Sequence, residues 1–459
     1  MTILTRRSFL RRASATALGL AATGGLPFNL ATMAAAATRA APVVNDYKAL
    51  VCVFLFGGND GNNTVIPYGA ADHATYAAGR GALAIARGDL ATTRILPANA
   101  GGREFALHPA MPELAALFGQ GRTAVVANVG PLVQPITKAQ WDAGNAPLPA
   151  NLFSHSDQQA LWQIGTCDAA VRNGWGGRLV DLFLGQNTTP IASCLSTAGR
   201  STFLTGQAAT GYSISSSGRF GFDFYPSDTA TDPLAVAFGE VMNASRAHLL
   251  EQAFADTLKG SIETQRRFDQ AINQGPALAS AFPQTGLGTQ LRTVARLIAA
   301  RNVLGVRRQA FFVTLGGFDT HGADQPADQA TLLGEVSAAI DAFYQATVEL
   351  GVASQVTTFT QSDFGRDFPA NGNGGSDHGW GSHHLVVGGA VAGGRLYGRF
   401  PILAVNGPDD ASGGRWIPST SVDQYAATMA RWFGVPAGDL PLVAPGIARF
   451  PTADLGFMG

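Results

Sequence analysis

The chain has 459 residues, 46% of them hydrophobic and only 14% charged, which is ample apolar material for one large α/β domain with insertions or two to three average ones. Its 31 basic and 32 acidic side chains nearly cancel, so no chain-wide field points to nucleic acid or to an anionic membrane. The three cysteines, Cys52, Cys167 and Cys194, include no C-x-x-C spacing and argue against a thiol nucleophile or a structural zinc site.

In chain order, Thr5-Arg6-Arg7-Ser8-Phe9-Leu10-Arg11 opens a twin-arginine pattern, followed by the mildly apolar Ala13–Leu26 and the alanine-rich Ala31–Ala41. Residues 1–41 are therefore expected to be a signal peptide, with the mature chain beginning between Ala37 and Val43. The twin-arginine translocation machinery would be its partner and the periplasm or the cell exterior its destination. Gly19, Gly24 and Gly25 interrupt the apolar stretch, and no later run is long enough to span a bilayer, so no stable membrane anchor is expected.

Ala49–Phe56 is wholly apolar, as a central parallel strand requires, and it ends in a glycine-rich turn around Asp60. His108–Gly121 reads as a helix leading into a strand at Thr123–Val129. At 154–157, Ser-His-Ser-Asp precedes a short helical pattern, where Ser154 is either a helix cap or a hydroxyl set against the positive end of the helix dipole. Thr188–Tyr225 reads as hairpin-rich and Pro233–Val306 as helical, together an insertion at about 190–305 into a single domain spanning 42–459. A Cys167–Cys194 bridge is open in an oxidising compartment.

The most informative stretch is Phe311–Gly389, which holds half of the eight histidines, His321, His378, His383 and His384, interleaved with Asp319, Asp363 and Asp377. Two β-rich runs, Phe311–Leu315 and Gln355–Thr360, each end at an acid-bearing turn. Between them Leu332, Leu333, Val336, Ile340, Phe343, Thr347 and Leu350 mark one helix face, with Asp328 placed to cap its start and Gly351 to end it. Strand, helix and strand in that order make a parallel βαβ unit, whose ligands gather beyond the carboxyl ends of the strands. Asp319, His321 and Asp363 would then share one rim. A lone Asp or His after a strand is usually a cap or turn residue. Several packed together without a cation would repel one another, which favours a metal or catalytic site. Further strands are expected at Leu385–Val391 and Ile402–Val405, and an amphipathic helix at Asp423–Gly434.

The segments GGNDGNNTVIP, LFSHSDQQALWQ, GGFDTHG, FTQSDFGR, SDHGW and DQYAATMARWFGV resemble the DUF1501 family of twin-arginine-exported bacterial proteins over the whole mature length. That family is similar in turn to the alkaline phosphatase/sulfatase superfamily. The resemblance implies an α/β fold with a mainly parallel sheet sandwiched between helices, and one or two divalent metals, Zn or Mn, hydrolysing phosphate or sulfate esters on small molecules or polymers. It implies metal ligands at Asp60, Asp319, His321, Asp363 and His383, and a nucleophile at Ser154. Phe364 stands where a metal-binding His belongs, and Asp377-His378-Gly379 is placed to supply the lost imidazole. Arg366 is placed to grip a substrate oxygen, the plainer alternative being a surface arginine. No Cys/Ser-x-Pro-x-Arg signature stands at 154–158, which argues against a formylglycine-dependent sulfatase. The competing expectation is a non-catalytic envelope or polysaccharide-binding protein with a degraded site.

Overall fold

The computed structural model describes residues 44–216 and 232–459; the signal-peptide expectation falls on residues outside these. Twelve strands are present among the described residues. They are β1 (Lys48–Leu55), β2 (Val65–Pro67), β3 (Arg94–Ile95), β4 (Phe105–Leu107), β5 (Thr123–Gly130), β6 (Cys194–Ser196), β7 (Tyr212–Ser213), β8 (Arg308–Leu315), β9 (Val356–Ser362), β10 (Ser382–Gly388), β11 (Arg395–Tyr397) and β12 (Thr420–Ser421). The main sheet runs β11-β5-β10-β9-β1-β8-β6-β7, with β12 alongside β5, while β2, β4 and β3 form a small separate sheet. Every pairing in the main sheet is parallel except those of β10, which runs antiparallel to both β5 and β9.

The apolar run Ala49–Leu55 of β1 is explained by its central place, because alternate side chains enter opposite cores. Val51 and Val53 join one core with Leu291 and Ile298 of helix Gly286–Ala299 and with Leu333, Val336 and Ile340 of helix Gln325–Glu349. Leu50, Cys52 and Phe54 join the other, with Trp175 and with Tyr425 and Met429 of helix Val422–Phe433. Each fully buried side chain of this size contributes about 1.5–3 kcal/mol relative to exposure. The fold is thus α/β, a mainly parallel sheet between helical layers.

Several boundaries differ from the expectation. The crossover helix begins at Gln325, a turn before Asp328, because Pro326 suits a first turn and Asp324 sits at the cap position; Asp328 falls in the first turn instead. No strand forms at Ile402–Val405, where both named residues are exposed. The segment near 190–305 contributes β6 and β7, which pair parallel to each other, and β6 extends the main sheet beside β8. Its described part is therefore woven into the sheet and contains no hairpin between these strands. All three cysteines are free thiols. No described helix is long and apolar enough to cross a membrane.

Because β1, β8 and β9 are parallel, their carboxyl ends at Leu55, Leu315 and Ser362 lie on one rim. The reversed β10 brings its amino end, and with it the Asp377-His378 loop, to the same rim.

Candidate metal centre

The rim turns are interlocked before any ligand is considered. Gly57 (φ +113°) and Gly58 (φ +84°) follow β1; a Cβ on Gly57 would stand 2.3 Å from Asp319 N and one on Gly58 2.4 Å from the Phe364 ring. Only glycine permits both the left-handed backbone and this approach. Arg366, 1% exposed, threads the turns from below: its guanidinium donates to the carbonyls of Gly57, Gly58, Phe318 and Ser376, and Nη2 reaches Asp319 Oδ1 at 2.7 Å. The expected substrate-gripping arginine is thus enclosed. It staples the rim and holds Asp319, because the carbonyls of three turns converge on its donors.

Above this staple three imidazoles surround Asp319. His155, the first residue of helix His155–Ile164, donates Nδ1–H to Asp363 Oδ2 at 2.7 Å and points Nε2 at Asp319 Oδ1, 3.3 Å away, without forming a hydrogen bond. His378 Nδ1 lies 2.7 Å from the Phe153 carbonyl, which can only accept, so that nitrogen carries the proton. Its bare Nε2 is left 3.4 Å from Asp319 Oδ1 and 3.1 Å from His321 Nε2. His321 places Nδ1 3.0 Å from Asp377 Oδ1 and Nε2 2.9 Å from Asp319 Oδ1, with Arg366 Nη1 3.2 Å away. The Phe364 ring, 4.8 Å from the His155 ring and 4.5 Å from that of His378, forms the apolar floor.

With Nδ1 of each ring engaged, the Nε2 atoms of His155 and His378 are both turned toward Asp319 Oδ1, to which Arg366 also donates. His155, Asp319 and His378 offer ligand atoms all within 4.8 Å of one another. The separations to Asp319 approach the roughly 3.3–3.4 Å edge of a tetrahedron of N and O ligands about 2.0–2.1 Å from zinc. Two imidazoles and a carboxylate, each imidazole backed through Nδ1 by an oxygen, match the donor chemistry of a divalent metal site. The residues present fit a metal.

Charge at the site is arranged accordingly. Partial burial pushes the Asp319 carboxyl up, but Arg366's hydrogen bond and charge hold it down to about 2, and positive charge on the His155 or His321 ring acts in the same direction. Burial, against the Phe153 hydrogen bond, lowers His378, and the nearby positive groups add to this. The Asn371 hydrogen bond, with His321, keeps Asp377 below the ordinary carboxylate range. Because Asp319 is depressed from 3.8 to about 2, its contribution to stability is present above pH 3.8 and lost as pH falls toward 2. Acid unfolding of Asp319→Asn and wild type should therefore diverge above about pH 4 and converge near pH 2.

The other expected site residues are placed as follows. Asp363 is fully buried; Oδ2 receives Gly57 N, His155 and Gln159, while Oδ1 has no partner, so it stands behind His155. Asp377 stands behind His321 in the same way. Asp363→Asn should weaken metal binding about 10- to 100-fold, as loss of an outer partner does, read by competition against a zinc indicator.

Asp60 is not in the cluster: its carboxylate pairs with fully buried Arg80, receives Gln325 Nε2 at 3.0 Å and caps the turn at Asn62 N. The guanidinium of Arg80 supplies the positive charge there. His383 is buried on Phe400, its Nδ1 accepting from Asn128 N, and burial pushes it down to about 3; it faces the core and not the rim. Ser154 occupies the N-cap position of the helix, but its Oγ donates to Asp157 Oδ2 at 2.7 Å and makes neither a capping bond to the backbone nor a contact with the cluster. What the helix start brings to the site is its neighbour His155. The signal available for His155 was its Ser-His-Ser setting directly before a helix.

A mainly parallel α/β sheet carrying His and Asp side chains at its carboxyl rim defines the class: an α/β protein with a candidate metal centre at the strand ends. The chain belongs to the DUF1501 family, described as proteins of unknown function, whose pattern matches residues 47–433. No curated protein matches the sequence. Among solved structures, the chain is similar to Ps i-CgsB in complex with k-i-k-neocarrahexaose at TM-score 0.36 and 8% identity, over 88% of this chain and 77% of that one. It is similar also to the PsFucS1 sulfatase from Pseudoalteromonas sp. at TM-score 0.33 and 10% identity, over 94% and 73% of the two chains.

Proposed function

We propose that this chain is an exported, metal-dependent hydrolase of phosphate-type or sulfate esters, small or polymer-borne, working outside the cytoplasm. The observation that supports the metal is the convergence of His155 Nε2, His378 Nε2 and an Asp319 oxygen within 4.8 Å of one another, with each ring's Nδ1 engaged by an oxygen behind it. The ester class rests on the sequence resemblance.

His155, Asp319 and His378 would hold one divalent ion, zinc or manganese, and three protein ligands leave a coordination position open. Such an ion supplies Lewis-acid neutralisation of an ester's anionic oxygens. The protein supplies the rest. Asp363 and the Phe153 carbonyl fix the two ligand rings, and Phe364 keeps water from beneath them. Arg366 offsets the charge of Asp319. His321, with Nδ1 on Asp377 and Nε2 on Asp319, ties the two carboxylates together and orients Asp319. With Ser154 turned to Asp157, water is the nucleophile this arrangement favours.

Assay of the mature protein with added Zn or Mn against aryl phosphates, phosphodiesters and aryl and carbohydrate sulfates tests the reading. Turnover of one class, lost with chelator and restored by metal, is expected. Metal binding with no turnover across the panel would favour the non-catalytic envelope or polysaccharide-binding reading, to which the enclosed Arg366 and diverted Ser154 lend support.

A further inference from the structure

Arg415 touches none of the ligand atoms of the centre, yet two of its contacts converge on His378. Its Nε donates to the His378 carbonyl at 2.8 Å, and its guanidinium lies over the Phe153 ring, 4.9 Å from the centroid. Phe153 in turn offers its carbonyl to His378 Nδ1 at 2.7 Å. To do so it adopts φ +73°, a conformation a bulky residue keeps only where its surroundings over-determine it; Asn151, two residues earlier, is also left-handed at φ +49°. Arg415 is itself anchored, its backbone N–H donating to Asp410 Oδ1 at 3.0 Å. The guanidinium plane and Nε thus brace both sides of one hydrogen bond: the ring of the acceptor residue and the backbone of the donor residue.

We propose that Arg415 is a positioning residue that, by clamping Phe153 and the His378 backbone together, holds His378 in the Nδ1–H tautomer with Nε2 bare and turned to Asp319. A lysine cannot replace it, because an ammonium lacks the planar face and the fork that let one side chain stack and donate at once. The consequence for metal affinity rests on the reading of the site given above; the tautomer does not.

The test uses the metal-free mature protein labelled with ¹⁵N-histidine, with the His378 signals identified by their loss in His378→Gln. Wild type should show His378 as the Nδ1–H tautomer alone. Arg415→Met and Arg415→Lys should both show a mixture of tautomers. Zinc affinity, measured by indicator competition, should fall about 10- to 100-fold in both, the effect of losing an outer partner. Phe153→Gly, which accepts the left-handed backbone and keeps the carbonyl but removes the clamped ring, should move in the same direction and decides the matter if the Arg415 variants do not fold. An unchanged Nδ1–H tautomer in folded Arg415→Met, or in Phe153→Gly if it alone folds, overturns the proposal. Absence of zinc binding in wild type overturns the metal reading alone, and the tautomer comparison still decides the role of Arg415.

Discussion

Alanine at position 378 is expected to lower zinc affinity by more than the roughly 100-fold seen when an outer partner is lost, while the protein stays folded. The argument is geometric. His378 supplies one of three ligand atoms lying within 4.8 Å of one another, and its ring is partly exposed at a rim, so removal opens no core cavity. Two ligands remain, and neither Phe364 nor the enclosed Arg366 can replace an imidazole lone pair. Indicator competition gives the affinity and thermal melting the fold. Unchanged affinity in a folded His378→Ala protein would remove this residue from the centre and return its role to His321.

Asp60→Asn is expected to do the opposite: to destabilise strongly and leave metal binding in the folded protein intact. Arg80 is fully buried, and its charge is met by Asp60 alone among the described carboxylates. Two more of its hydrogen bonds go to the neutral carbonyls of Asp367 and Phe368. Neutralising Asp60 leaves a buried cation without a counter-charge, a loss of about 3–5 kcal/mol. Denaturant unfolding of the two proteins, with zinc titration below the transition, separates the effects. A modest stability change with lost metal would place Asp60 back among the ligands.

The parts of the fold legible in the sequence were those written by periodicity. The apolar run of β1, the alternation of short strands with a 25-residue helix, and the acidic turns after two strands all specify a parallel unit with a shared rim. Asp319, His321, Asp377 and His378 do meet on it. What the sequence could not show was direction and partner. Asp60 follows a buried strand as a ligand would, but its carboxylate is claimed by an arginine 20 residues on that only folding brings near. His383 and His384 are adjacent in β10, and both are buried away from solvent. Arg366 looks like a surface anion clamp until the carbonyls around it are counted. The helix start offers Ser154 and His155 side by side, and only folding turns the imidazole to the rim and the Ser154 hydroxyl to Asp157.

Metal analysis of the folded, mature protein tests the central claim most directly. Purified protein equilibrated with zinc or manganese and then freed of excess by gel filtration should retain about one equivalent of a divalent ion, because the described residues form one set of three converging ligands. His155→Gln, Asp319→Asn and His378→Ala should each lose that equivalent. A folded wild-type protein that emerges metal-free after equilibration with both ions would contradict the account.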